Sequence, residues 1–114
     1  MFNKIIGGLI AASMCCISAP ANAATSMLTS WYGPGFHGRT TANGEAYNMY
    51  GFTAAHKFLP FGTKLRVCYI GCVDVRINDR GPYIGARQLD LSKGAAKQIG
   101  LLWVGVATTT VTYL

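Results

Sequence analysis

Residues 63–77 constrain the fold most. Thr63 to Cys68 and Cys72 to Ile77 each alternate apolar and polar side chains, the period-two pattern of a half-buried strand. Only Tyr69-Ile70-Gly71 separates them, so the two runs form a hairpin, with Gly71 suited to the left-handed position of a three-residue loop. Cys68 and Cys72 then face one another at the separation a disulfide accepts. Closing so short a loop contributes roughly 2 kcal/mol by the chain-entropy model.

The other segments read as strands as well. Residues 24–30 look like a tail leading into a strand over Leu28 to Tyr32, and Phe52 to Lys57 is a short extended segment of small residues. Arg87 to Leu91 is a further strand, and Val104 to Leu114, rich in Val and Thr, is the last. One helix is expected over Lys93 to Ile99, with Ser92 as its N-cap and Gly100 as its stop. Pro60 and Pro82 both fall in turns. Short strands, one short helix and no repeat suggest an all-β, small closed barrel, and closure also removes exposed edges.

The first residues are of another kind. Lys4 precedes an apolar run over Ile5 to Ile17, and Ala21-Asn22-Ala23 is an A-x-A site, so residues 1–23 read as a secretory signal peptide and residues 24–114 as one domain. Met14 stands before Cys15 where lipidation wants a small residue, so anchoring through Cys15 or Cys16 is not favoured. A secreted or periplasmic protein with no stable membrane anchor is expected. Loss of Lys4 lowers the formal net charge by one from +6, which still favours an acidic polymer or an anionic envelope. Nucleic acid is not expected, because the basic residues form no run. In an oxidising compartment Cys68 and Cys72 most simply pair with each other. A zinc site needs about four ligands, and the two histidines are not spaced for one, so no metal is expected.

The chain holds only four acidic residues. Asp79 follows Val75-Arg76-Ile77-Asn78 and precedes Arg80-Gly81-Pro82-Tyr83, so it falls where a strand gives way to a loop. Asp90 stands between Leu89 and Leu91, its side chain opposite theirs. Apolar surroundings raise a carboxyl pKa, whereas Asn78, Arg80 or Arg87 would lower it, and this is material for a general acid. The plainer alternative makes Asp79 a turn residue and Asp90 an arginine's buried partner. Glu45, after an Asn-Gly turn, reads first as a solvated loop charge. His56 reads first as a structural histidine, fixed by the Leu59-Pro60-Phe61-Gly62 turn. Trp31 reads as core, whereas Tyr32 suits a core or a sugar face equally.

Five motifs in order carry a family resemblance: Thr29-Ser30-Trp31-Tyr32-Gly33, Thr41-Ala42-Asn43-Gly44-Glu45, Thr53-Ala54-Ala55-His56-Lys57 with Leu59-Pro60-Phe61-Gly62-Thr63, Arg76-Ile77-Asn78-Asp79-Arg80-Gly81-Pro82, and Leu89-Asp90-Leu91-Ser92. Over residues 29–113 the chain resembles the rare lipoprotein A family. The resemblance implies a six-stranded double-psi β-barrel and an exported lytic transglycosylase, a lyase acting on peptidoglycan glycan strands without a cofactor. Such an enzyme protonates the leaving oxygen of the MurNAc-GlcNAc β-1,4 bond while the muramyl 6-hydroxyl closes an anhydro ring.

By the same resemblance the catalytic residues are His56 and Asp79, and Asp90 aligns with the acid of related barrels. Asp79 is taken as acid/base, Asp90 as its competitor or electrostatic partner, and His56 as the group that orients it. Tyr32, Glu45, Asn78 and Arg80 are expected to line the glycan groove, and the chain is expected to act as a monomer. Many family members carry a C-terminal peptidoglycan-binding repeat domain that has no match here, so targeting through it is not carried over. A non-catalytic, expansin-like wall-binding module is the alternative reading.

Overall fold

The structure, a computed structural model, describes residues 23–114; of the leader expected over residues 1–23, all but Ala23 lies outside the described residues, as do Cys15 and Cys16. Six strands close into a barrel: β1 (Ala24–Tyr32), β2 (Thr53–His56), β3 (Lys64–Cys68), β4 (Cys72–Asp79), β5 (Leu89–Ser92) and β6 (Ala107–Tyr113), with helix α1 (Lys93–Ile99) between β5 and β6. Around the barrel the order is β1-β5-β2-β4-β3-β6. The pairs β1–β5 and β2–β4 run parallel and the remaining neighbours antiparallel.

Alternation does what the hairpin pattern predicts. Leu65 and Val67 of β3 and Val73, Val75 and Ile77 of β4 point inward, where they meet Leu89, Leu91 and Val111. Each such side chain contributes about 1.5–3 kcal/mol by leaving water. Helix α1 adds Ala95, Ala96 and Ile99 to this core. Its ends follow the sequence: Ser92 Oγ accepts from the Ala95 N–H, and Gly100 stops the helix at φ 83°. Cys68 and Cys72 are paired across the hairpin and bridged.

Four local expectations are corrected. Residues 24–30 are strand rather than tail, because Ala24 to Thr29 pair along β6, a long-range ladder with no local signal. Strand β5 starts at Leu89, two residues late, since Arg87 N–H closes a turn onto the Ile84 carbonyl. Strand β6 begins only at Ala107, because Gly105 at φ 82° turns the chain out of an extended path. Gly71 is not left-handed; it is small because a Cβ there would lie 3.0 Å from the Gln98 carbonyl oxygen, where the hairpin packs on the end of α1.

Candidate active site

Four residues form a row across four adjacent strands. Ser30 of β1 pairs with Asp90 of β5, Asp90 with Ala55 of β2, and Ala55 with Asp79 of β4. Paired positions present their side chains on one face. The two carboxylates therefore share a face with only an alanine methyl between them, their Cα atoms about 10 Å apart at two strand spacings. Asp79, Ala55 and Asp90 together line a cleft of about 210 Å³, with Tyr32, Arg80 and Tyr83 around them.

A β-bulge sets Asp79 in this row. Ala54 pairs with Ile77, but the next residue, Ala55, pairs with Asp79, so Asn78 is the extra residue of β4. Asp79 Oδ1 accepts two backbone N–H bonds at 2.9 Å each, from Ala42 and from Arg80. The chain then leaves the strand through Gly81 at φ 117°, a conformation a side chain would strain. Asp90 is held differently. Its Oδ1 accepts one bond, from Ser30 Oγ at 2.9 Å, and burial between core leucines raises its pKa. The Ser30 bond and Arg87 oppose that rise, and the charge of Asp79 adds to it.

Tyr32 covers the pair. Its ring stacks on Tyr47 with centroids 4.4 Å apart and takes the edge of Phe36 at 5.7 Å. Its hydroxyl is buried and has no partner among the described residues. Burial, then the charge of Asp79, then Tyr47 and Asp90, raise its pKa far above the usual phenol range, so it is a donor without an acceptor. Trp31, next along β1, packs against the core as the sequence reading has it.

Other residues singled out in the sequence sit outside the cleft. His56 is 4% exposed and pairs with Leu89, so its ring turns away from the face that Ala55 presents. Its Nδ1 accepts from the N–H groups of Phe58 and Leu59, at 3.3 and 3.2 Å, which leaves the proton on Nε2. Burial first, then Arg80 and Lys57, lower its pKa. No hydrogen bond joins its ring to either aspartate among the described residues. Its carbonyl instead accepts from Arg80 Nη1, which also reaches the Leu59 carbonyl, while the guanidinium lies 3.9 Å over the Phe61 ring.

Glu45 is no freely solvated charge. Arg76 grips both its oxygens, at 2.6 and 3.0 Å, and Asn78 Nδ2 adds a third bond. These bonds, Arg76 first, hold its pKa down to about 2. Asn78 is only 2% exposed and does not line the cleft. The cluster fastens the Thr41–Glu45 turn to β4: Asn43 N–H donates to the Asn78 carbonyl, and Asn43 Oδ1 accepts from Thr41 Oγ1 and the Glu45 N–H. That turn delivers the Ala42 N–H to Asp79.

Three further residues belong to the site: Ser30, Ala55 and Tyr47. Ser30 and Ala55 stand inside matched motifs, but their roles come from strand register. Tyr47 is buried and donates its hydroxyl to the Tyr32 carbonyl at 2.7 Å while accepting from the Lys93 N–H, tying β1 to the start of α1. An aromatic two residues after Glu45 is the one local sign of it.

Comparisons with known proteins give the family and the fold. A family model described as lytic transglycolase matches residues 24–113. A probable endolytic peptidoglycan transglycosylase RlpA of Synechocystis is 54% identical over 87 residues, which are 74% of this chain and 27% of that protein. The endolytic peptidoglycan transglycosylase RlpA of Campylobacter jejuni is 54% identical over 83 residues, 70% of this chain and 30% of its own length. That of Pseudomonas aeruginosa is 51% identical over 85 residues, 72% and 25% of the two chains. The chain thus matches about a third or less of the length of these relatives. Among solved structures, the Streptomyces papain inhibitor superposes with a TM-score of 0.66 at 20% identity, covering 85% of this chain and 99% of that one. A mutant Clavibacter michiganensis expansin in complex with cellohexaose also reaches 0.66, at 19% identity over 81% of this chain and 50% of its own. These two likenesses concern the fold alone. With its barrel matched over residues 24–113, the chain belongs to the lytic transglycolase family of RlpA-like double-psi β-barrels.

Proposed function

We propose that residues 24–114 form a lytic transglycosylase domain that works outside the cytoplasm, cleaving the MurNAc-GlcNAc β-1,4 bond of peptidoglycan glycan strands. The observation that carries this reading is the row Ser30, Asp90, Ala55 and Asp79, which sets two unlike carboxyl groups in one cleft. Family membership and the named activity of the relatives support the same choice.

The reaction needs one group to give a proton and take one back. Asp90 suits the first step, because its surroundings favour the neutral carboxyl. Its proton passes to the glycosidic oxygen, the C1–O bond breaks, and GlcNAc leaves with a free 4-hydroxyl. The muramyl 6-hydroxyl then bonds to C1 and returns its proton to the Asp90 carboxylate. Water is not consumed, so no second carboxylate has to activate one, unlike a hydrolase. Asp79, with Oδ1 held by two N–H groups, stabilises positive charge developing on the sugar ring.

This reverses the order read from the sequence, in which Asp79 leads. The Tyr32 ring walls the cleft beside the sugar, and Arg80 shapes the rim. His56, Glu45 and Asn78 act as positioning residues: His56 through the Arg80 clamp, the other two through the Thr41–Glu45 turn. Purified peptidoglycan digested with the protein tests the reading by mass analysis of the released fragments. Products ending in 1,6-anhydromuramic acid are expected. Reducing-end products would indicate a hydrolase, and an unaltered substrate would indicate a binding module.

A further inference from the structure

Beyond the carboxylate cleft, a second surface has the make-up of a ligand site. Trp103 is 98% exposed, in the loop between α1 and β6. With Trp31, Leu102, Lys93 and Lys97 it lines a concave face of about 390 Å³. A fully solvated indole leaves a large apolar ring without a partner. Lys93 is also placed against its own electrostatics. It stands four residues before Lys97 on one helix, where like charges repel, and it occupies the first position of α1, where the helix dipole disfavours a cation; Lys97, in the last turn, sits where that dipole favours one. No carboxylate side chain relieves them. All four acids of the chain are engaged elsewhere: Glu45 with Arg76, Asp74 with Arg66, and Asp79 and Asp90 in the cleft.

Shared lining residues link this surface to the cleft. Tyr32, Pro82 and Asp90 belong both to the cleft and to a neighbouring hollow of about 470 Å³, and Trp31 belongs both to that hollow and to the Trp103 face. The Trp31 ring can lie on this ridge because residue 33 is glycine; a Cβ there would come within 2.8 Å of the indole.

We propose that Trp103, Lys93 and Lys97 form a distal subsite for an anionic glycan strand, in which the indole stacks on a pyranose face and the ammonium groups bind carboxylates carried by the sugars. The inference rests on the reading of the cleft as a glycan site and adds to it the far end of the groove. A strand with a carboxylate on every second residue, as the lactyl group of muramic acid supplies once its peptide is gone, meets both demands at once. A neutral polysaccharide would leave the lysines unanswered.

Equilibrium binding tests this, with the full chain in an Asp90→Asn background so that strands are not consumed. The probes are peptide-free peptidoglycan strands with free lactyl carboxylates, and the same strands with those carboxylates converted to N-methylamides. Trp103→Ala is expected to weaken binding of both probes roughly tenfold, the range of aromatic stacking, and Trp103→Tyr to restore most of it. Lys93→Gln with Lys97→Gln is expected to cost roughly fivefold on the charged strands only and to remove most of the salt dependence. Circular dichroism checks that each variant is folded. Variants that bind both probes like their parent would overturn the subsite, even if the wild type releases anhydro products. The expected pattern without such products would leave the subsite standing and remove the catalytic reading. A loss confined to phosphatidylglycerol vesicles, with strand binding intact, would overturn the proposal in favour of a membrane surface.

Discussion

Asp90 and Asp79 stand two strands apart on one face of the barrel wall, with only Ala55 between them. They share a cleft but not an environment. Asp90 accepts one hydroxyl bond and is pushed toward its neutral form, whereas Asp79 accepts two backbone N–H bonds on a single oxygen. Two carboxyl groups with different surroundings are the usual basis for dividing acid and charge-stabilising roles.

The alanine is therefore predicted to matter more than its size suggests. Ala55→Val keeps a residue well suited to a strand but fills the gap through which a sugar would reach both carboxylates. Turnover on purified peptidoglycan should fall about 10²-fold, the cost of displacing a reacting group by roughly an ångström, and crowding at this buried position should also lower the thermal midpoint without unfolding the barrel at assay temperature. Undiminished turnover would show that the substrate does not pass between the two aspartates.

Asp90 should also mark the pH dependence of stability. Its folded pKa is raised above the ordinary 3.8, so its favourable contribution is complete below that value and is lost as pH rises through the folded pKa. Asp90→Asn should accordingly raise the thermal midpoint at pH 7, with the gain shrinking to nothing below about pH 3.8. A variant less stable than the parent at pH 7 would contradict the buried-carboxyl account.

Glu45 should behave in the opposite sense. Its folded pKa is lowered from 4.5 to about 2, so its contribution is present above 4.5 and is lost as pH falls toward 2. Its side chain is 40% exposed, which screens the pair with Arg76 and keeps the effect modest. Glu45→Gln should lower the thermal midpoint at pH 7 and flatten its acid arm. It should also slow turnover, because the turn that carries Ala42 to Asp79 loosens; an acid arm like the parent's would remove Glu45 from that role.

Much of this was legible in the residues. The alternation of Leu65, Val67, Val73, Val75 and Ile77, the pairing of Cys68 with Cys72, and the helix between Ser92 and Gly100 are all local patterns, and each appears where the sequence places it. What was not legible depends on partners far along the chain. The bulge at Asn78 is defined by the register against Ala55, the grip on Glu45 by an arginine beyond two turns, and the strand at Ala24 by β6. His56 shows the limit most clearly. Its motif suggests an orienting contact with Asp79, yet strand alternation turns the ring to the other face, and only its carbonyl reaches Arg80.

The most direct measurement is the rate at which anhydromuramyl products appear from purified peptidoglycan with wild type, Asp90→Asn and Asp79→Asn, all shown to be folded by circular dichroism. The account predicts that Asp90→Asn loses about 10²- to 10⁴-fold, the contribution of general acid-base catalysis, and that Asp79→Asn loses less. A larger loss for Asp79→Asn than for Asp90→Asn would contradict it and give the proton to Asp79.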